Sequence, residues 1–225
     1  MVMFAMTLHV QPGSDLRRGN VFAAKVVSQR AAGKVLQHAR LFRPVRKHLP
    51  QQPPNLSFLP ASSKERLLLE NLAQFYSYDF SEVLEMYLDE DGRFGDVDLT
   101  PYWVEEWKHP FLLRVDDQLA GFALISARSK ISGKSGVFDM TEFFVLRRFR
   151  RHGVGRAAAF AAFDRFEGPW EVRQREDNPN ATAFWRRAID EYTRGDYKET
   201  RWVRPHWSEI VQTFSTGSGE GDLPQ

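Results

Sequence analysis

The stretch Asp139-Met140-Thr141-Glu142-Phe143-Phe144-Val145-Leu146-Arg147-Arg148-Phe149-Arg150-Arg151-His152-Gly153-Val154-Gly155-Arg156 runs on into Ala157-Ala158-Ala159-Phe160-Ala161-Ala162-Phe163. It reads as a strand, a tight basic glycine turn and the start of a helix. Phe143, Phe144, Val145 and Leu146 are aromatic, β-branched or aliphatic, which suits a strand buried on both faces. After Gly155 the alanines favour helix, with Phe160 and Phe163 on one face. Between them Gly153 and Gly155 lack a Cβ, so the backbone can turn sharply. Successive N–H groups can then point outward at the positive end of the helix dipole, a ready site for a phosphate or pyrophosphate. By itself the pattern also fits an ordinary strand-to-helix connection with solvated arginines.

Context narrows the choice. About two dozen residues after the turn comes Asn178-Pro179-Asn180-Ala181-Thr182-Ala183-Phe184-Trp185. A strand of the form Glu-Phe-Phe-Val-Leu, then Arg-x-x-Gly-x-Gly (Arg150, Gly153, Gly155), then this asparagine-led helix start resembles the acetyl-CoA-binding core of the GNAT superfamily of N-acetyltransferases. The likeness is firm over residues 111–198 and looser over 61–110, and nothing upstream of 61 shares it.

The resemblance implies an α/β acyl-CoA N-acyltransferase fold, a twisted mixed sheet of about six or seven strands with helices on both faces. It also implies acetyl-CoA as co-substrate, with no metal, and a primary amine as acceptor. The CoA phosphates would rest on the N–H groups of Arg151, His152, Gly153, Val154 and Gly155, with Arg150 and Arg156 adding charge. A backbone N–H near Val145, beside Phe144, would polarise the acetyl carbonyl. Asn180, Phe184 and Trp185 would lie along the pantetheine, Asn180 also capping its helix. The first helices of such a fold flank the acceptor groove, making Tyr76, Tyr78, Asp79 and Phe80 candidates for it; aromatic core filling is their other reading.

For the general base we expect Glu142, an acid in an apolar strand, alternating on one face with Met140 and Phe144. Such surroundings raise a carboxyl pKa toward a useful value, although an ion pair with an arginine would use the same residue structurally. The general acid departs from the family pattern, because its usual tyrosine is Trp185 here. An indole N–H cannot supply a proton at neutral pH. Tyr192 or a water would serve, or CoA would leave unassisted as a thiolate. That departure leaves room for a catalytically weak acyl-CoA-binding or regulatory module of the same fold. The resemblance also allows a homodimer through the C-terminal strand region.

Bulk properties set the outer bounds. At 42% apolar residues, with 18 Phe and 6 Trp, the chain can fill a core. It has no cysteine, which excludes disulfides, thiolate metal sites and a cysteine nucleophile. No apolar run approaches the ~18 residues of a membrane span, and no metal-ligand spacing occurs among the histidines. We expect a soluble, cytoplasmic protein without a membrane partner. The net charge of +2 divides unevenly: residues 1–50 carry nine Lys/Arg and one acid, or +8, leaving −6 for the rest. The folded part therefore offers no general nucleic-acid surface, and a nucleic-acid partner would have to act through the basic segment.

Composition divides the chain into an extension (1–60) ending in a proline cluster, a domain (61–212) and a Gly/Ser-rich flexible tail (213–225). The extension reads as a disordered, dispensable segment, a transit peptide or a basic arm. Within the domain we expect a capping box at Ser62 and Glu65, opening a helix with the stripe Leu68, Leu72, Phe75, Tyr76. A second helix over 81–88, an acidic loop over 89–98 and a helix from Thr100 to about Lys108 follow. The loop lacks the calcium-binding spacing, and if it faced the groove its carboxylates would attract a cationic amine. Next come a hairpin (111–115 with 119–125), the central strand from about Val137, a strand (171–175), a helix (181–192) and a last strand (197–203).

Overall fold

A computed structural model describes residues 55–95 and 98–217. Sequence expectations for residues 1–54 and 218–225 lie outside the described residues. One seven-stranded sheet organises the described chain, in the order β1-β2-β3-β4-β5-β7-β6. Its strands are β1 (Leu56–Pro60), β2 (Lys108–Val115), β3 (Gln118–Arg128), β4 (Ser135–Val145), β5 (Gly168–Arg175), β6 (Lys198–Val203) and β7 (Ser208–Thr216). Only β4 and β5 run parallel; every other neighbouring pair is antiparallel. The helices are α1 (Arg66–Phe80), the four-residue α2 (Pro101–Val104), α3 (Val154–Arg165) and α4 (Pro179–Thr193).

Alternation along the strands builds two cores. On one face Phe111, Leu113, Ile125, Met140, Phe143, Trp170 and Val172 pack with α3 and α4. On the other Leu112, Phe122, Leu124 and Phe144 meet Leu69, Leu72, Tyr76 and Phe80 of α1, and Tyr102 of α2. This is the mixed, two-sided α/β architecture anticipated from the sequence. Among the described residues no helix is long and apolar enough to cross a membrane.

The elements differ from the sequence reading in instructive places. β1 lies upstream of residue 61, where the proline cluster had set the start of the domain, and it pairs along β2 as an edge strand. β7 was not anticipated. It pairs with both β5 and β6 and carries the sheet to Thr216, beyond residue 212. The capping box at Ser62 and Glu65 forms, but the buried stripe of α1 is Leu69, Leu72, Ala73, Tyr76 and Phe80, leaving Phe75 exposed.

Residues 81–88 do not continue as a helix. α1 stops at its C-cap Ser81, whose hydroxyl bonds the Tyr78 carbonyl, and the chain reaches a bridge between Leu88 and Phe94. The bridge closes the acidic loop on itself, with Asp89 Oδ1 accepting from the N–H groups of Asp91 and Arg93. Phe94 docks on α1 through Gln74 and Tyr78. The helix from Pro101 ends after one turn because Glu105 is extended and β2 begins at Lys108.

A register shift in the β3–β4 ladder matters most. Leu124 faces Glu142 while Ile125 faces Met140, so Thr141 is an extra residue on β4. A one-residue slip exchanges faces. Met140 therefore packs toward α3, whereas Glu142 and Phe144 face α1. The expected sharing of one face by Met140, Glu142 and Phe144 fails for Met140.

Candidate active site

β4 and β5 are joined over three pairs, Phe138 with Trp170, Asp139 with Glu171 and Met140 with Val172. Beyond them the strands part. The Leu146 N–H donates to Ala120 of β3 at 2.8 Å, so by the period of two the Val145 N–H points the other way, into the opening. A cavity of about 940 Å³ lies along this opening, with Val145 in its wall.

The glycine turn forms one end of that cavity. Arg151 and Gly153 both adopt left-handed backbone, at φ +64° and +79°. A Cβ on Gly153 would meet nothing within 4 Å, so φ alone explains its glycine, and open space remains over it. Gly155 answers a different need: a Cβ there would lie 3.3 Å from the Phe184 ring. Ala157 donates to the Gly153 carbonyl, which leaves the N–H groups of Val154, Gly155 and Arg156 without intrahelical partners. They open α3, a twelve-residue helix whose dipole favours an anion at this end.

α4 supplies the opposite wall. Asn178, not Asn180, caps it, its Oδ1 accepting from the Ala181 N–H at 3.1 Å. Asn180 is released to the surface, where it begins a helical stripe of Asn180, Ala183, Phe184, Arg187 and Ala188 along the cavity. Arg147, Arg187 and Glu82 also line it and were not anticipated. The i, i+3, i+4, i+7 spacing from Asn180 was the available signal for Arg187.

Of the expected cofactor residues, Val145, Arg150, Arg151, Gly153, Gly155, Arg156, Asn180 and Phe184 reach the cavity. His152 is exposed outside it, and the Val154 side chain is buried in the core. Phe144 faces α1 instead. Trp185 is fully buried, edge-on to Phe143 and Phe184, because it lies on the core stripe of α4 with Ala188 and Ile189. Arg150 is already engaged: Nε donates to the Val145 carbonyl at 2.6 Å and NH2 to Asp79. Arg147 Nε donates to the same carboxylate at 2.9 Å. Asp79 thus straps the end of α1 to the basic turn, an ion pair rather than a free groove acid. Arg156 pairs with Glu191, while Arg151 and Arg187 form no ion pair with a described residue.

Behind the opening, on the α1 side of the sheet, Glu142 is 5% exposed. Burial pushes its carboxyl up to about 8 from an ordinary 4.5, against the Tyr76 hydrogen bond and Arg173, which pull it down. Tyr76 donates to Glu142 Oε2 at 2.5 Å. The arginine foreseen as a structural partner is committed elsewhere: Arg173 bonds Asp139 at 2.8 Å and Glu209 at 3.0 Å, all three buried. Burial opposes the charge of Arg173, but these two carboxylates outweigh it and raise its pKa.

The remaining candidates fall elsewhere. Phe80 is core, and Tyr78 is an exposed neighbour of Phe94. Tyr192 lies on α4 twelve residues past Asn180, ~18 Å along the helix axis. Its hydroxyl donates to Asp164 of α3 at 2.8 Å, and its ring packs on Phe160 and Phe163. It does not line the cavity. Among the described residues no group of three His, Cys, Asp or Glu is placed to hold a metal.

Residues 70–189 match the family model of the acetyltransferase (GNAT) family. Among solved structures, an acetyltransferase from Thermus thermophilus is 18% identical over 71% of this chain and 96% of its own, with a TM-score of 0.52. A spermidine N-acetyltransferase from Vibrio cholerae, solved in complex with CoA and spermine, is 12% identical over 72% of this chain and 95% of its own, at 0.50. No curated protein sequence matches significantly.

Proposed function

Because the chain belongs to the GNAT family of acetyltransferases, we propose that it moves an acetyl group from acetyl-CoA to a primary amine by direct attack on the thioester. One observation carries the reading. The parting of β4 from β5 leaves a cavity walled by the basic turn, and the strand that enters its wall at Val145 carries, three residues earlier, the buried, high-pKa carboxyl of Glu142.

The residues fit an acyl-CoA. Its phosphates would take the unpaired N–H groups at the start of α3, with Arg147, Arg150 and Arg151 around them. The Val145 N–H would donate to the thioester carbonyl, stabilising charge as it develops on oxygen. The amine enters from the α1 side and passes a proton to the Glu142 carboxylate, directly or through a water. The free amine nitrogen then bonds to the carbonyl carbon, the C–S bond breaks, the thiolate leaves with the electron pair, and the nitrogen gives its second proton to water, which relays it toward the thiolate. With Tyr192 remote and Trp185 in the core, a water protonates the thiolate.

The same two residues favour the second reading, an acyl-CoA-binding module with little turnover. Titration calorimetry of acetyl-CoA into the full chain, alongside Gly153→Glu with Gly155→Glu, tests the donor site. Binding that the double variant loses supports it, and absence of binding to the unaltered chain refutes both readings. An amine screen with Glu142→Gln as control then separates them: transfer abolished by Glu142→Gln supports the enzyme, and binding with no acetylated product supports the module.

A further inference from the structure

We propose that Tyr76 is a positioning residue for acyl transfer: its hydroxyl holds the Glu142 carboxyl in one orientation and sets the acidity at which that carboxyl can take a proton. The proposal rests on the transfer reading above, in which Glu142 is the base.

The geometry is specific. Tyr76 is 1% exposed and sits on the buried stripe of α1, its ring packed against Phe80, Phe122 and Phe144. Those three rings leave the phenol little freedom to swing. Its oxygen lies 2.5 Å from Glu142 Oε2, a length typical of a charge-assisted O–H···O bond. The bond pins Oε2 of the carboxyl to the helix.

A glutamate in a strand has three rotatable bonds, and the β-bulge at Thr141 alone fixes only the face from which it projects. The pin from α1 supplies the missing restraint. Other charged and titratable groups reach the carboxyl with less direct hold: Tyr102 from α2, Lys108 from β2, Lys130 from the β3–β4 loop, Asp139 from β4 and Arg173 from β5. Arg173 is already shared between Asp139 and Glu209. Tyr76 alone makes a hydrogen bond to Glu142 among the described residues.

The same helix ends in the Asp79 strap to Arg147 and Arg150, three residues beyond Tyr76 and on the same side of α1. One rigid element therefore sets both the carboxyl on one side of the opening and the basic turn on the other.

The test is a carboxyl titration by carbon-13 NMR on the full chain labelled at glutamate Cδ, with the Glu142 signal identified by its loss in Glu142→Gln. In Tyr76→Phe the midpoint should rise by about one pH unit, as expected when a hydrogen bond favouring the charged form is lost. Placing 3,5-difluorotyrosine at position 76 gives a stronger donor without changing the packing, and should move the midpoint down. This second protein keeps the test open should Tyr76→Phe fold poorly. A midpoint unmoved in both proteins overturns the proposal, since a purely structural Tyr76 would alter the melting temperature and not the titration. Acetyl-CoA titrated into the same samples keeps the two questions apart: intact binding with an unmoved midpoint sinks the role of Tyr76 alone, whereas absent binding in the unaltered chain sinks the transfer reading.

Discussion

Replacing Glu142 by Gln should make the protein more resistant to alkaline destabilisation. Glu142 is buried with its pKa raised to about 8 from 4.5, so the folded state holds this proton more tightly than the unfolded chain. A raised acid contributes stability that is complete below the unfolded pKa and is lost as pH rises through the folded one. At about pH 5.5 the unfolded carboxyl has already ionised, at a modest cost relative to low pH; by about pH 9 that cost has grown by about 3 kcal/mol. Glutamine keeps the shape, can accept from Tyr76 and does not titrate, so the variant escapes both costs. Urea denaturation of both proteins at the two pH values should show the stability difference moving by about 3 kcal/mol in favour of Glu142→Gln on going to high pH. Taking the difference cancels the other titrating groups, including Glu171 and His109. A difference that stays constant with pH would mean that Glu142 is ionised in the folded protein, which would remove the physical basis for its choice as base.

Three further outcomes are expected. Asp79→Asn should destabilise the fold by about 3 kcal/mol in urea denaturation, because it breaks a buried carboxylate's pairing with Arg147 and Arg150. Gly155→Ala should weaken acetyl-CoA binding by roughly tenfold in calorimetry and cost about 1–2 kcal/mol of stability, the new methyl displacing the Phe184 ring that lines the cavity. Tyr192→Phe should leave any transfer rate unchanged and cost less than about 1 kcal/mol, since it removes only an exposed hydrogen bond to Asp164; a large loss of rate would restore Tyr192 as an acid.

The turn and the strand before it were readable because their signals are local. Gly153 and Gly155, the arginines around them and the apolar run into Val145 announce a strand, a turn and a helix without help from distant residues. What escaped depends on partners far along the chain. The bulge at Thr141 is set by pairing with β3, so strict alternation misassigned Met140. Asn180 and Asn178 are equally good caps by residue type, and Pro179 at the first helical position decides for Asn178. Asp79 looked like a groove acid until the fold brought Arg147 and Arg150 to it across some seventy residues of chain. Trp185 was legible as a departure from a motif, but its burial follows from the face of α4 that meets Phe143 and Phe163.

The three-pair seam between β4 and β5 divides the labour of the sheet as well as its geometry. The arm ending in β4 leads straight into the basic turn. The other arm, β5 to β7, carries Arg173, Glu209 and the loop between β6 and β7, and its backbone pairs with β4 only at those three positions. Loops vary more readily than the elements they join. A lineage of such proteins can therefore lengthen, shorten or recharge the loop between β6 and β7 while the strand that leads into the basic turn keeps its place.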